Sequence, residues 1–147
     1  MLILARRSVP SDTGEILRIE RASFPSPWSR ASIAYHVFGM AGAVSFSAEC
    51  RGRLIGYIMA MRDGEDLHIT NLAVDEDMRR SGAAGLLISC VSDIASSGGY
   101  RRMILEVRDG NAPARALYEK EGFTVCGISE GYYDDSGEDA ILMERKV

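Results

Sequence analysis

The segment from Asn71 to Phe123 concentrates residue types that can hold a phosphorylated ligand and move protons beside it. After the apolar run Leu72-Ala73-Val74, the chain passes through Asp75-Glu76-Asp77-Met78 into Arg79-Arg80-Ser81-Gly82-Ala83-Ala84-Gly85. Small residues there let the backbone approach an anion. A helix starting at this point aims its unbonded first-turn N–H groups and positive dipole end at that anion. Arg79 and Arg80 add positive charge. The pattern is not a Walker loop, which needs Gly-Lys-Ser/Thr, nor a dinucleotide fingerprint, which needs three glycines after the first strand of a βαβ unit. A tight strand-to-helix turn is the plain structural alternative.

Glu106 interrupts the apolar strand pattern Met103-Ile104-Leu105-Glu106-Val107. A carboxylate in such a strand is costly unless solvated, paired or used. Its structural alternative is a salt bridge to Arg108, two residues along on the same strand face. Asn111 and Tyr118, seven residues apart, fall on one face of a predicted helix. Asn111 also suits a helix cap, and Tyr118 a core aromatic with a reachable hydroxyl.

The elements that must position these groups follow from apolar spacing. Leu2 to Arg7 reads as a strand, and Ser11 or Asp12 as the cap of a helix carrying Ile16, Leu17, Ile19 and Ala22. Pro25 and Pro27 break that helix, and Ser29 caps a second through Val37. Ala43 to Glu49, Leu54 to Arg62 and Leu67 to Val74 form an antiparallel meander, with turns at Arg51-Gly52-Arg53 and Asp63-Gly64. A helix follows from Gly82 to Ser97, then a strand from Met103 to Val107 and a helix capped by Asn111. Gly122-Phe123 closes that helix, and Val125 to Ile128 and Ala140 to Glu144 form the last strand pair.

With 147 residues, 46% of them hydrophobic and 26% charged, the chain fits one domain over residues 1–147. The formal net charge of -4 disfavours nucleic acid as a partner. No apolar run is long enough for a membrane span or a signal segment, so a cytoplasmic location is expected. Three scattered cysteines and two histidines argue against a disulfide framework or a metal site, and the cysteines read as buried thiols. His68 reads as packed or solvent-exposed, with a proton relay as its functional alternative.

Arg79-Arg80-Ser81-Gly82-Ala83-Ala84 resembles the motif with which GCN5-related N-acetyltransferases wrap the pyrophosphate of coenzyme A. Several further segments are similar to the ribosomal-protein-alanine N-acetyltransferases within that family. They are Phe24-Pro25-Ser26-Pro27-Trp28-Ser29, Leu105-Glu106-Val107-Arg108, Asn111, Ala116-Leu117-Tyr118-Glu119, Gly122-Phe123, Tyr132-Tyr133 and Glu138-Asp139-Ala140. The likeness runs from Phe24 to Met143, and Gly85 departs from it where relatives commonly carry a basic side chain.

The resemblance implies an α/β fold with a mixed central sheet flanked by helices, and a V-shaped cleft for acetyl-CoA between the strands ending near Val74 and Val107. It implies Glu106 as general base and Tyr118 as the acid protonating the departing thiolate. Leu72, Ala73 and Val74 would supply an oxyanion donor, and Arg79, Arg80, Ser81, Gly82, Ala83, Ala84, Asn111 and Tyr118 would contact the donor. Trp28, Tyr132, Tyr133 and Asp134 would wall the acceptor groove, with the acidic run Glu130 to Asp139 attracting a cationic acceptor. The implied acceptor is a protein N-terminus, the N-terminal alanine of a small-subunit ribosomal protein, with no metal required. A lysine side chain, a polyamine or small amine, and a noncatalytic acyl-CoA-binding role are the alternatives.

Overall fold

The computed structural model describes residues 2–147. Its strands are β1 (Leu4–Arg7), β2 (Ala43–Cys50), β3 (Arg53–Asp63), β4 (Asp66–Val74), β5 (Arg102–Arg108), β6 (Thr124–Ser129) and β7 (Ala140–Lys146). Its helices are α1 (Thr13–Ser23), α2 (Arg30–Val37), α3 (Ala83–Ser97) and α4 (Ala112–Lys120). The strands form one mixed sheet in the order β1-β2-β3-β4-β5-β7-β6, antiparallel throughout except for the β4–β5 pair.

Each face of the sheet is closed by helices because each strand alternates its side chains. Leu87, Ile88, Val91 and Ala95 of α3 pack with Ile58, Ala60, Leu67, Met103, Leu105 and Val107. On the opposite face, Ile16, Leu17 and Ile19 of α1 join Ile33 and Val37 of α2 over Tyr57 and Met59. Glu106 and Arg108 alternate with Leu105 and Val107, so they project to the α1–α2 face.

The parallel β4–β5 pairing spans only Asp66↔Arg102, Leu67↔Met103 and His68↔Ile104. Beyond it, β4 runs on to Val74 and β5 to Arg108 without bonding each other. A bulge coincides with the separation. Met59 pairs with Asn71 but Ala60 with Ile69, leaving Thr70 as the extra residue. A bulge bends its strand and increases local twist, so β4 turns away from β5 while keeping β3. The bulge also reverses parity: Leu67 and Ile69 face α3 before it, and Asn71 and Ala73 face α1 after it.

The helix punctuation is mostly as the sequence implies. Ser29 Oγ accepts the Ser32 N–H at 3.1 Å, and Asn111 Oδ1 accepts the Ala114 N–H at 3.2 Å. Gly122, at φ 90°, ends α4 with the Phe123 N–H on Tyr118 O at 2.9 Å, and the Phe123 ring packs edge-on to Tyr118. Asp12 differs from expectation. Its carboxylate serves Val9 N and the Arg6 guanidinium rather than the α1 N-terminus, because a 3-10 turn at Pro10–Asp12 precedes that helix. Cys126 also departs from the buried-thiol reading. It is the extra residue of a bulge in β6, the last strand of the sheet, and is exposed.

A buried carboxylate ties the α1–α2 connection to the sheet. Glu20 is 1% exposed and accepts from Trp28 N at 2.8 Å, from Asn71 Nδ2 at 3.0 Å and from the Tyr57 hydroxyl. Three donors converge on it, which is how a buried carboxylate avoids the cost of desolvation. Glu20→Ala should therefore lower unfolding free energy by about 3 kcal/mol or more, since it strands two buried donors and a part-buried backbone N–H at once. Denaturant unfolding checks this, and a loss below about 1 kcal/mol would show that the network carries little of the stability.

Candidate active site

The ends of β4 and β5 flank a gap, and a carboxylate and an imidazole pair where the two strands part. His68, the last β4 residue paired with β5, places Nε2 2.5 Å from Glu106 Oε2 across the point of separation. The two side chains are 23% and 24% exposed, so water and substrate can reach them. Glu106 holds the His68 pKa above its usual 6.5, chiefly through this hydrogen bond, against the opposing effect of burial.

The expected alternative, Glu106 paired to Arg108, does not form. Arg108 turns to the β6–β7 connection, gripping Asp135 with both terminal nitrogens at 2.8 and 2.7 Å. His68 is the residue that sequence reading placed least well. Its sequence context suggests packing or exposure before a relay, because its partner lies 38 positions away.

Tyr118 is half-buried on α4, and burial pushes its pKa up to about 12, with Tyr133 adding to the rise. The phenol therefore stays protonated at neutral pH. Glu106 raises the pKa of both Tyr132 and Tyr133, behind burial as the main cause, which places both rings within its electrostatic reach. Tyr133 is tied to the same strand as Glu106, because the Arg108 guanidinium sits 4.0 Å from its ring centroid. Tyr132 and Tyr133 meet edge to face at 5.0 Å.

The phosphate loop has the backbone an anion cradle needs. Arg80 and Gly82 take left-handed conformations at φ 62° and 89°, and the first helical bond of α3 is Leu86 N–H to Gly82 O. The preceding first-turn N–H groups have no intrahelical acceptor. A Cβ added at Gly82 would meet open space, so the approach to the loop is clear. These features fit a pyrophosphate. Asp75 anchors the loop's start: Arg18 holds it at 2.9 and 3.0 Å, and its N–H bonds Ile55 O at 2.7 Å.

On the β3-free side, β4 from Ile69 onward has no strand neighbour, so alternate backbone groups of Leu72, Ala73 and Val74 face the gap. Asn111 stands just before α4 as its cap rather than on the helix face with Tyr118. Its Oδ1 is engaged there and its amide nitrogen remains as a donor.

The acceptor candidates occupy the two connections over the α1–α2 face. Trp28 packs its ring 4.9 Å from His36 and, with Ser32 and Tyr35, lines a 250 Å³ cavity. Most of the acidic run is spent on building its own loop. Asp135 and Glu138 pair with Arg108, and Asp139 accepts the Gly131 N–H. Glu130 and exposed Asp134 are the members without such a contact among the described residues.

Residues 13–123 match the model of the Acetyltransferase (GNAT) family. The chain is a GNAT-family acetyltransferase. It is 34% identical over 132 residues to a Bacillus subtilis protein provisionally named a ribosomal protein bS18-alanine N-acetyltransferase, spanning 90% of this chain and 87% of that one. Its fold superposes on the crystal structure of the ribosomal-protein-S18-alanine N-acetyltransferase from Escherichia coli at a TM-score of 0.89 and 28% identity, covering 99% and 94% of the two chains. Arabidopsis thaliana NAA60 in complex with acetyl-CoA aligns at 0.90 and 26% identity, over 99% of each chain. Acetyl-CoA is the acyl donor of this family.

Within this acetyltransferase, Gly85 acquires a structural partner. A Cβ there would stand 2.7 Å from Glu121 Oε1, so the carboxylate of Glu121 lies against the first turn of α3. A negative charge at that position stabilises the free helix end but opposes an incoming pyrophosphate. Glu121→Gln should therefore tighten acetyl-CoA binding about two- to fivefold, matching the ~0.3–1 kcal/mol of a charge at a helix end. Titration calorimetry with acetyl-CoA checks this, and unchanged or weaker binding would show that the carboxylate lies outside the donor's field.

The His68–Glu106 pair sets a pH dependence. Because the folded-state pKa of His68 is raised, the pair stabilises the fold fully below pH 6.5 and loses that contribution as pH climbs through the raised value. With His68 charged, Glu106 is engaged as its counter-ion, so a catalytic role for Glu106 predicts that acetyl transfer rises as His68 loses its proton. The acid limb of kcat should have its midpoint above 6.5 in the wild type and move to lower pH in His68→Gln. An identical limb in both proteins would remove His68 from the proton path.

Proposed function

We propose that this enzyme moves an acetyl group from acetyl-CoA to the α-amine of a protein N-terminus, with Glu106 as general base and Tyr118 as general acid. The observation that carries the reading is the meeting of Glu106 and His68 where β4 and β5 part. A protonated α-amine, with a pKa of about 7.7 to 8.0, cannot attack a thioester until it is deprotonated. Glu106 accepts that proton directly or through water, and His68 carries it onward.

A backbone N–H of Leu72, Ala73 or Val74 facing the gap stabilises the thioester oxygen as charge develops on it. Tyr118 donates its proton to the sulfur as the C–S bond breaks, leaving an acetylated amine and free coenzyme A. A phenol near 12 remains fully protonated until that demand arises. The Arg79–Ala84 loop holds the pyrophosphate, with Ser81, Gly82 and Ala83 offering close backbone approach and Asn111 a side-chain donor.

Trp28, Tyr132, Tyr133 and Asp134 line the acceptor groove in this reading, which the names of the bacterial relatives extend to the N-terminal alanine of ribosomal protein S18. That acceptor would place the reaction in the cytoplasm. Exposed Asp134 and Glu130 leave negative charge at the rim for an ammonium or a nearby basic residue.

A peptide panel tests the acceptor. Peptides with the S18 N-terminus should be acetylated when free and silent when blocked, and modification of an internal lysine in a blocked peptide would move the assignment to side-chain amines. Glu106→Gln and Tyr118→Phe should each lower kcat by about 10²-fold or more while binding acetyl-CoA normally, as expected for proton-transfer groups. Acetyl-CoA binding without turnover on any amine in the wild type would favour a noncatalytic role.

A further inference from the structure

We propose that Arg108 is the positioning residue of the acceptor groove: it fixes Tyr133 and, through Asp135, joins the β6–β7 connection to the α1–α2 connection. The proposal rests on the α-amine acetyltransferase reading for what the groove binds. One guanidinium makes all but one of the contacts involved. Its Nη1 and Nη2 grip Asp135 Oδ1 and Oδ2 at 2.8 and 2.7 Å, Nη1 reaches Ser136 Oγ at 3.2 Å, and Glu138 Oε1 lies 3.5 Å away. Its carbon centre sits 4.0 Å from the centroid of the Tyr133 ring. Asp135 then passes the connection on, because its Oδ2 also accepts the Ser26 hydroxyl at 2.9 Å.

This arrangement is specific to arginine. A planar fork can bind a carboxylate with two parallel bonds while its face covers an aromatic ring, whereas an ammonium can satisfy only one of those demands at a time. The strand beneath supplies the rest. Arg108 ends β5 two residues after Glu106 and projects to the same face, so Tyr133 is held relative to Glu106 by a rigid two-residue step. Ser26 lies two residues before Trp28, whose N–H is fixed by Glu20. The Ser26–Asp135 contact is a single neutral-donor bond and the Arg108–Asp135 pair is bidentate and charge-assisted, so the former is the weaker link of the clasp.

The consequence is a division of effects. Loss of the clasp displaces the walls that recognise the acceptor and leaves the donor loop and the His68–Glu106 pair in place. In Arg108→Lys and Asp135→Asn, KM for an acceptor peptide should rise about tenfold or more, as expected for loss of a charge-assisted bidentate contact, with kcat reduced less than about threefold. The dissociation constant for acetyl-CoA should stay within about twofold. Ser26→Ala should raise KM by less than either, since it removes one exposed hydrogen bond.

Amide hydrogen exchange on the same proteins separates this inference from the acceptor assignment. In the absence of substrate, Arg108→Lys should lose protection together at 24–29 and 130–139, with β4 and α3 unchanged. If the wild type acetylates no α-amine, the functional reading fails and the exchange data alone decide the clasp. Loosening confined to 130–139, or a fall in kcat with acceptor KM unchanged, would overturn the proposal.

Discussion

Three residue pairs hold β4 to β5, and the remainder of the site exists because the pairing stops there. A parallel pair continued to Val74 and Val107 would bury the backbone groups of both strands in each other and leave no gap to enter. The Thr70 bulge turns β4 aside while β3 still pairs with it, so the unpaired strand edge is not a frayed one. On the other side, β7 pairs with β5 along Arg102 to Arg108. Each wall of the gap is therefore backed by a full antiparallel neighbour, and the site's free N–H and C=O groups are exposed on rigid supports.

The same separation sorts donor from acceptor. The phosphate loop leads into α3, which covers one face of the sheet, while Glu106, His68 and Arg108 project from β4 and β5 to the other. Under the proposed function, a thioester in the gap would direct its pyrophosphate toward α3 and its acyl carbon toward the strand ends, where groups of the opposite face could meet it. In the proposed reading, donor and acceptor would approach one point from different faces, an arrangement suited to direct transfer between two bound substrates.

Much of this was legible in the sequence because it is written in local residue types. The strand runs, the Ser29 and Asn111 caps, the Gly122-Phe123 closure and the glycine-bearing phosphate loop each signal within a few positions, and the sheet and helices follow them closely. The bulge at Thr70 had no such signal, since His68-Ile69-Thr70-Asn71 alternates like any strand. His68 and Glu106 become partners only through the parallel crossover, so neither residue's neighbours announce the pair. The acidic run from Glu130 to Asp139 misleads for a related reason. Composition reads it as a field for a cation, but Arg108 neutralises Asp135 and Glu138 from a strand that only tertiary structure brings alongside.

Glu20 and Arg108 together explain how two loops can behave as parts of one site. A connecting segment positions ligand groups poorly unless something outside the loop over-determines it. Glu20 fastens Trp28 from below to Tyr57 and Asn71, and Asn71 stands three residues past His68 on the same strand. Arg108 fastens Tyr133 and Asp135 to β5, two residues past Glu106. Both connections are thus referred to the two strands that carry the His68–Glu106 pair. A shift of either connection relative to Glu106 must break the Glu20 network or the bidentate Arg108–Asp135 pair, so in the proposed function acceptor recognition and base placement would share one rigid frame.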